Sequence, residues 1–334
     1  MEARLVDALP SGAGWQFEPK WDGFRCLASR KGSRVELSAK SGKTLARYFP
    51  ETVEHLAALP AGRDGFVFDG ELAIPVGSTL DFEALQLRLH PAESRIRKLA
   101  RETPAIFILF DMLIAPGGTS LIDAPLAYRR GALESFFDTL GARGGFRLSP
   151  YTRRLATAQA WLDRAGGALD GVVAKRLDDS YLMGERGWLK VKRLRTADCV
   201  VGGFRYATGR RLVGSLLLGL YDDDGLLHHV GFTSGIAHDV RAALTKKLEH
   251  VRGAPGFTGN APGGPSRWST ERTEQWEPLK PKLVAEVQYD HVTGDRFRHG
   301  TRFLRWRPDK APRQCTFDQL QSESRPSRLL AKIL

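Results

Sequence analysis

The chain has 334 residues, 42% of them hydrophobic and 26% charged, and its formal net charge is +12 from 50 basic and 38 acidic side chains. That length is too great for a comfortable single core and predicts two domains in an ordinary soluble globular protein, with a surplus of positive charge that suits a polyanionic partner. Cys26, Cys199 and Cys315 form no C-x-x-C pair, Met1 to Gly14 hold no apolar core of signal-peptide length, and the longest apolar run, Leu216 to Tyr221, is strand-sized. These features argue against a zinc site, a disulfide framework, a secretion signal and a membrane span, and make the cytoplasm the expected compartment.

Residues 15–49 read as short strands with turns at Asp22-Gly23, Lys31-Gly32 and Ser41-Gly42. Within them lies Phe17-Glu18-Pro19-Lys20-Trp21-Asp22-Gly23-Phe24-Arg25, a lysine crowded by charges of both signs. A nucleophilic lysine must lose its proton near neutral pH, which nearby cations or desolvation allow. The plain alternative is a turn with a solvated charge cluster, and a bare K-x-D-G string occurs often enough by accident that the downstream residues must decide.

A helix is predicted over Glu51 to Leu59, with Pro50 acceptable in its first turn. A strand follows from Gly65 to Ile74, where alternation sets Asp69 and Glu71 on one face and Phe68 and Leu72 on the other. Residues 81–102 read as basic and helical. Ile106 to Leu113 is apolar enough for a strand buried on both faces, holding Phe107 and Phe110. Helices over Leu126 to Leu140 and Thr157 to Ala165 precede strands at Gly171 to Ala174 and Trp188 to Lys192. In the last strand Lys190 and Lys192 share one face, and two adjacent ammonium groups repel unless an anion lies between them. An edge strand with two solvated lysines is the plain reading.

Strands and helices mix without strict alternation to about residue 196, which predicts an α+β domain. Beyond it, strands at 200–204, 215–221, 226–232, 283–289 and 302–307, with one helix from Ala237 to His250, fit a small OB-type barrel. Arg305 and Arg307 alternate onto one face of the last strand. Residues 253–276 read as a long loop, and 311–334 as a tail without an assignment.

The series E-P-K-W-D-G-F-R, S-A-K-S-G-K-T-L-A-R-Y-F-P-E, D-G-V-V-A-K-R and W-L-K-V-K, closed by R-W-R-P-D-K, resembles the covalent nucleotidyltransferases: ATP-dependent DNA ligases, RNA ligases and mRNA capping enzymes. It is most similar to stand-alone bacterial ATP-dependent DNA ligases of the ligase C type, and similar also to the ligase module of bacterial ligase D. The resemblance runs from Glu18 to Lys310. It implies an α+β nucleotidyltransferase (ATP-grasp-like ligase) domain over 1–196 and an OB-fold β-barrel domain with its C-terminal tail over 197–334, hinged near Leu194 to Ala197.

It further implies that Lys20 takes AMP from ATP, that Glu18 reads the adenine amino group, and that Arg25 holds the ribose or a strand end. Glu71 would contact the ribose and a divalent cation, Mg²⁺ or Mn²⁺. Phe110 would stack on adenine, with Phe107 the alternative if the register differs. Asp170 stands where the family carries Glu, so its metal-placing carboxylate is one methylene shorter. Lys175 is implied as a phosphate or nucleotide contact, Lys190 and Lys192 as α-phosphate contacts, and Arg307 and Lys310, beside Arg305, as contacts to departing pyrophosphate. Lys40 stands where many ligases have Arg, implying a DNA contact without bidentate grip. The implied function is sealing of 5′-phosphate/3′-hydroxyl breaks in double-stranded DNA, in bacterial repair, by a monomer working with end-binding or polymerase factors and no membrane. An RNA ligase or capping-type enzyme is the alternative of the same chemistry; a non-catalytic OB-type nucleic-acid-binding protein is the alternative of another class.

Overall fold

The computed structural model describes residues 1–60, 64–140, 144–164, 169–263 and 275–323. They form two compact units, meeting in sequence between Arg193 and Leu194.

The first unit carries, in chain order, β1 (Ala3–Leu5), β2 (Trp15–Trp21), β3 (Phe24–Lys31), β4 (Arg34–Ala39), α1 (Pro50–Ala58), β5 (Phe66–Ala73), β6 (Pro75–Val76), β7 (Thr79–Leu80), α2 (Phe82–Leu87), α3 (Glu93–Glu102), β8 (Ile106–Ile114), α4 (Leu126–Asp138), β9 (Phe146–Leu148), α5 (Leu155–Asp163), β10 (Leu169–Arg176) and β11 (Trp188–Lys192). Two main sheets result, one in the order β4-β3-β5-β8-β9 and the other β1-β11-β10-β2. The first is built on β8, every residue of which is buried to Leu113, as its unbroken apolar run predicts. Phe66, Phe68, Phe107, Leu109 and Phe137 form its core with Leu56 of α1. Phe17, Val172, Ala174 and Ala158 hold the second sheet against α5.

The basic helix predicted over 81–102 is two helices. Asp81 caps α2 by accepting from the Ala84 amide at 2.9 Å. The chain then breaks before α3, where Pro91 supplies no amide and pushes His90 away from helical geometry. Arg88 ends α2 as a fully buried side chain, donating to both Glu51 carboxylate oxygens at 2.6 and 2.7 Å and to the Tyr48 carbonyl. A residue that reads as solvated charge is a core element, paired as buried charge must be.

The second unit carries β12 (Arg195–Tyr206), β13 (Val213–Tyr221), β14 (Leu227–Thr233), α6 (Arg241–His250), β15 (Glu277–Pro278), β16 (Val284–Tyr289), β17 (Val292–Thr293), β18 (Arg296–Phe297) and β19 (Arg302–Trp306). The sheet runs β14-β13-β12-β16-β19, with β15 also on β12. An isolated bridge between Thr233 and Thr301 links the end of β14 to the residue before β19. The ladder of β12 starts at Arg195, so Arg195 to Ala197, read from sequence as hinge, already pair with β16. Helix α6 starts four residues later than predicted. In the tail, Cys315 and Leu320 pack into the unit's core. Residues 264–274 of the predicted loop and 324–334 of the tail lie outside the described residues.

Candidate active site

Strand β2 sets Gln16, Glu18 and Lys20 on one face by its two-residue period. Its antiparallel register places Glu18 opposite Val173 and Lys20 opposite Gly171 of β10. On the other side of β10, Val173 faces Lys190 and Gly171 faces Lys192 of β11. Directly opposed residues share a face, so two rows cross the sheet: Glu18-Val173-Lys190 and Lys20-Gly171-Lys192. Gly171 sits at φ +150°, and a β-carbon there would overlap the Val191 carbonyl oxygen. The close fit of β10 to β11 therefore requires glycine. Gly23 serves the other sheet in the same way, since a β-carbon there would overlap the Leu72 carbonyl and lie 2.8 Å from Glu71 Cγ.

A pocket of about 250 Å³ opens over these rows, lined among others by Glu18, Lys20, Arg25, Lys40, Glu71, Phe110, Lys175, Trp188 and Lys190. Residues far apart in sequence, from both sheets, thus meet around Lys20. Phe110 faces the pocket while Phe107 packs into the core behind it, which distinguishes the two registers geometrically.

Lys20 Nζ lies 2.6 Å from Asp170 Oδ2, and Lys192 Nζ lies 3.2 Å from the same oxygen. Burial works against the Asp170 carboxylate, but the two ammonium groups prevail and hold it below the usual range. The sequence reading crowded Lys20 with charges of both signs from its own segment; the structure adds a carboxylate from β10, shared with Lys192. Lys190 is pushed below its ordinary value by burial and then by the charges of Lys20, Lys192 and Lys40. Lys40 is exposed and ion-paired with Glu2 at 3.0 Å.

Glu18 is buried and doubly held: Lys175 Nζ donates to Oε2 at 2.7 Å and Gln16 Nε2 to Oε1 at 2.9 Å. Lys175 is only 2% exposed, with its ammonium 4.5 Å from the Phe110 ring centroid and 4.3 Å from that of Trp188. Arg25 donates to Asp69 through Nε at 3.1 Å and Nη2 at 2.6 Å, and Tyr181 Oη donates to the same carboxylate at 2.8 Å. Asp69 is fully buried, so the acidic face read from β5 is no solvated surface. Tyr181 and the Trp188 ring were given no role from the sequence; Tyr181 stands in no pattern with a period, whereas Trp188 opens W-L-K-V-K, whose alternation sets it on the face of Lys190 and Lys192.

Glu71 is pushed from 4.5 to about 8, chiefly by burial, against the pull of Lys20 and Arg25. With Asp170 it offers two carboxylates near Lys20, and no group of three metal-ligating side chains occurs among the described residues. That donor set fits a Mg²⁺-type cation, which uses one or two carboxylates and takes its other ligands from phosphates and water.

In the second unit, Arg307 and Lys310 converge on Asp198. Arg307 Nη1 lies 3.0 Å from both carboxylate oxygens and Lys310 Nζ 2.8 Å from Oδ2. Arg307 also donates from Nε and Nη2 to Asp309. Arg305 pairs instead with Glu286 at 2.6 Å, so the two arginines that alternate in sequence hold different partners.

Residues 5–192 match the family profile described as ATP dependent DNA ligase domain, and residues 209–310 match ATP dependent DNA ligase C terminal region. The chain is 45% identical to DNA ligase C2 of Mycolicibacterium smegmatis, covering 96% of this chain and 94% of that protein. It is 42% identical to DNA ligase C of Mycobacterium tuberculosis, over 96% and 93% of the two chains. A solved structure of a Lig E DNA ligase superposes with a TM-score of 0.57 over 92% of this chain and 99% of that one, at 18% identity, a likeness of fold: a nucleotidyltransferase unit followed by an OB-fold unit. Profiles spanning both units and relatives similar over their full length place the chain in the family of ATP-dependent DNA ligases.

Proposed function

We propose that this enzyme seals 5′-phosphate/3′-hydroxyl breaks in duplex DNA through a lysyl-AMP intermediate. ATP and a divalent cation are what ATP-dependent DNA ligases use, and both suit the pocket. Lys20 Nζ, once its ammonium has lost a proton, attacks the α-phosphorus of ATP; the bond to the bridging oxygen breaks and pyrophosphate leaves. The 5′-phosphate of the break then displaces Lys20 from the AMP phosphorus, and the 3′-hydroxyl finally displaces AMP as the phosphodiester forms. Each transfer depends on positioning and charge neutralisation.

Glu18 and Lys175 read the base edge, Phe110 stacks on its face, and Arg25, fixed by Asp69 and Tyr181, holds the ribose or a strand end. Lys190 and Lys192 bind the α-phosphate, Arg307 and Lys310 the departing pyrophosphate, and Lys40 contacts DNA. Glu71 and Asp170 would hold the divalent cation, which supplies charge neutralisation of the phosphates when bound. Three free cysteines support a cytoplasmic enzyme. We place the enzyme in bacterial repair, as a monomer beside end-binding or polymerase factors.

One observation carries the reading: Lys20 shares a pocket with Glu71, Phe110, Lys175 and Lys190, which are scattered along the sequence. Intact mass of the purified protein after incubation with ATP should show one covalent AMP, mapped by peptide analysis to Lys20 and absent with GTP. No adduct, or one at another residue, removes the proposal.

A further inference from the structure

Asp198 belongs to none of the sequence motifs, yet two of the expected pyrophosphate contacts end on it. It is 7% exposed and sits in β12 directly opposite Glu286 of β16. Two carboxylates facing each other across a ladder repel. Each is neutralised from the same stretch of chain: Glu286 by Arg305, Asp198 by Arg307 and Lys310. The Asp198 backbone is fixed in turn by Gln319, whose Oε1 accepts from the Asp198 amide at 2.8 Å and whose Nε2 donates to the Asp198 carbonyl at 3.1 Å. The start of the tail thus has a physical task, holding the residue on which both cations rest.

The arrangement is asymmetric. Asp309, the second carboxylate on Arg307, is largely exposed, whereas Asp198 is buried behind the cations. An anion approaching from solvent can meet the outer faces of Arg307 and Lys310 while Asp198 still holds them from within. Without that carboxylate, Arg307 would be held by Asp309 alone and Lys310 would lose the group that draws it beside Arg307.

We infer that Asp198 is a positioning residue that holds Arg307 and Lys310 together as one pyrophosphate-binding unit, with Gln319 bracing it. This rests on the proposed role of Arg307 and Lys310, and the test separates the two ideas.

Adenylation of the enzyme by ATP and sealing of a pre-adenylated nick are measured for Asp198→Asn, Asp198→Glu, Arg307→Ala and the Asp198→Asn/Arg307→Ala double variant. Asp198→Asn should slow adenylation by roughly 10- to 100-fold, the scale of one misplaced electrostatic contact. The loss should fall in the rate constant and not in KM for ATP, and pre-adenylated sealing should stay within about threefold of the parent, on the same argument. Asp198→Glu, which keeps the charge, should recover part of the rate. The double variant should be no more than about threefold slower than Arg307→Ala, since coupled residues are not additive. Normal adenylation by Asp198→Asn, equal loss in both assays, no recovery in Asp198→Glu, or a double variant slowed by the full product of the two losses each overturns the inference. Normal adenylation by Arg307→Ala overturns instead the role assigned to Arg307, and this inference with it.

Discussion

Each unit gathers two cations on one buried aspartate, and the two gatherings are built differently. In the first unit Asp170 takes Lys20 from β2 and Lys192 from β11, each at a single oxygen. In the second, Asp198 takes Arg307 and Lys310 from one short segment, and Arg307 uses a further edge on Asp309. Lysine is a point charge on a rotatable stem, whereas arginine is a rigid fork whose contacts fix its plane. The first cluster can therefore exchange Asp170 for another anion by turning lysine side chains. In the second, Arg307 is fixed in plane by two carboxylates, and only Lys310 is free to turn as a lysine does. On the roles proposed above, the first cluster would release a nucleophile and the second would present fixed charge, and the two constructions suit those tasks.

The largest effect expected is at Lys20. Lys20→Ala and Lys20→Arg should each reduce adenylation by at least about four orders of magnitude, as removal of a covalent nucleophile does. Arg fails because a guanidinium stays protonated. Robust AMP labelling of either variant would dissolve the contrast, since Lys20 would then be an ordinary partner of Asp170. Next comes Lys190→Ala. We expect losses of about 10²-fold in both ATP-driven and pre-adenylated sealing, because the α-phosphate is present in every transfer. Arg307→Ala and Lys310→Ala should lose only the ATP-driven assay. Rates of the two assays for the three variants decide the matter; a Lys190 variant that seals pre-adenylated nicks normally would place it with the pyrophosphate contacts.

In the second sheet of the first unit the lysine pair was legible because alternation survives there: W-L-K-V-K sets Lys190 and Lys192 on one face. The rows that join them to Glu18 and Lys20 came only with the register of β10. The buried strand β8 was legible because nothing in I-F-I-L-F-D-M-L-I breaks its apolar run. What escaped was whatever depends on a partner far away in the chain. Arg88 reads as one more charge on a basic helix until Glu51 and the Tyr48 carbonyl close on it. Strand β1 has only three residues, and its parallel partner β11 lies at the other end of the unit. Asp198 reads as a polar interruption of A-D-C-V-V until Arg307, Lys310 and Gln319 arrive from more than a hundred residues downstream. Asp170 was legible as a position but not as a partner of Lys20, since spacing does not say where a shorter carboxylate comes to rest.

A smaller effect separates charge held internally from charge offered to DNA. With a net charge of +12, affinity for a nicked duplex should fall at least about tenfold between 50 and 200 mM salt, with little sequence preference. Arg307 and Lys310 are already matched to Asp198, so Arg307→Ala should leave the slope of log Kd against log salt unchanged. Lys40 is paired too, with Glu2, but on an exposed surface where such a pair is weak and a phosphate can displace it, so Lys40→Ala should lower the slope by about one. Titration of a labelled nicked duplex at four salt concentrations reads both. Equal slopes for the two variants would remove the distinction.

The smallest effect concerns one shifted group in each unit, Glu71 and His229, whose contributions to stability run in opposite directions with pH. Glu71 is raised to about 8 in the first unit, so its contribution is fully present below 4.5 and is lost as pH rises toward 8. His229 of the second unit is 6% exposed and lowered from 6.5 to about 3, by burial first and then by Arg296 and Arg205. Its Nδ1 lies 3.0 Å from Arg296 Nη2, a donor, so the ring must be neutral with Nδ1 accepting. A neutral ring in the fold against a protonated one in the unfolded chain binds fewer protons when folded. The His229 contribution is therefore fully present above pH 6.5 and is lost as pH falls from 6.5 toward 3, by at most about 1.4 kcal/mol per pH unit. His229→Gln should flatten that acid arm in denaturant titrations between pH 6.5 and 4.5, even if it lowers stability at pH 7. Glu71→Gln should remove the loss of stability that Glu71 contributes between pH 4.5 and 8, and should steepen the acid arm between pH 6.5 and 4.5, where Glu71 works against His229. An acid arm of undiminished slope in His229→Gln would mean that the ring takes up its proton within the fold, and that the second unit's resistance to acid is set by its carboxylates.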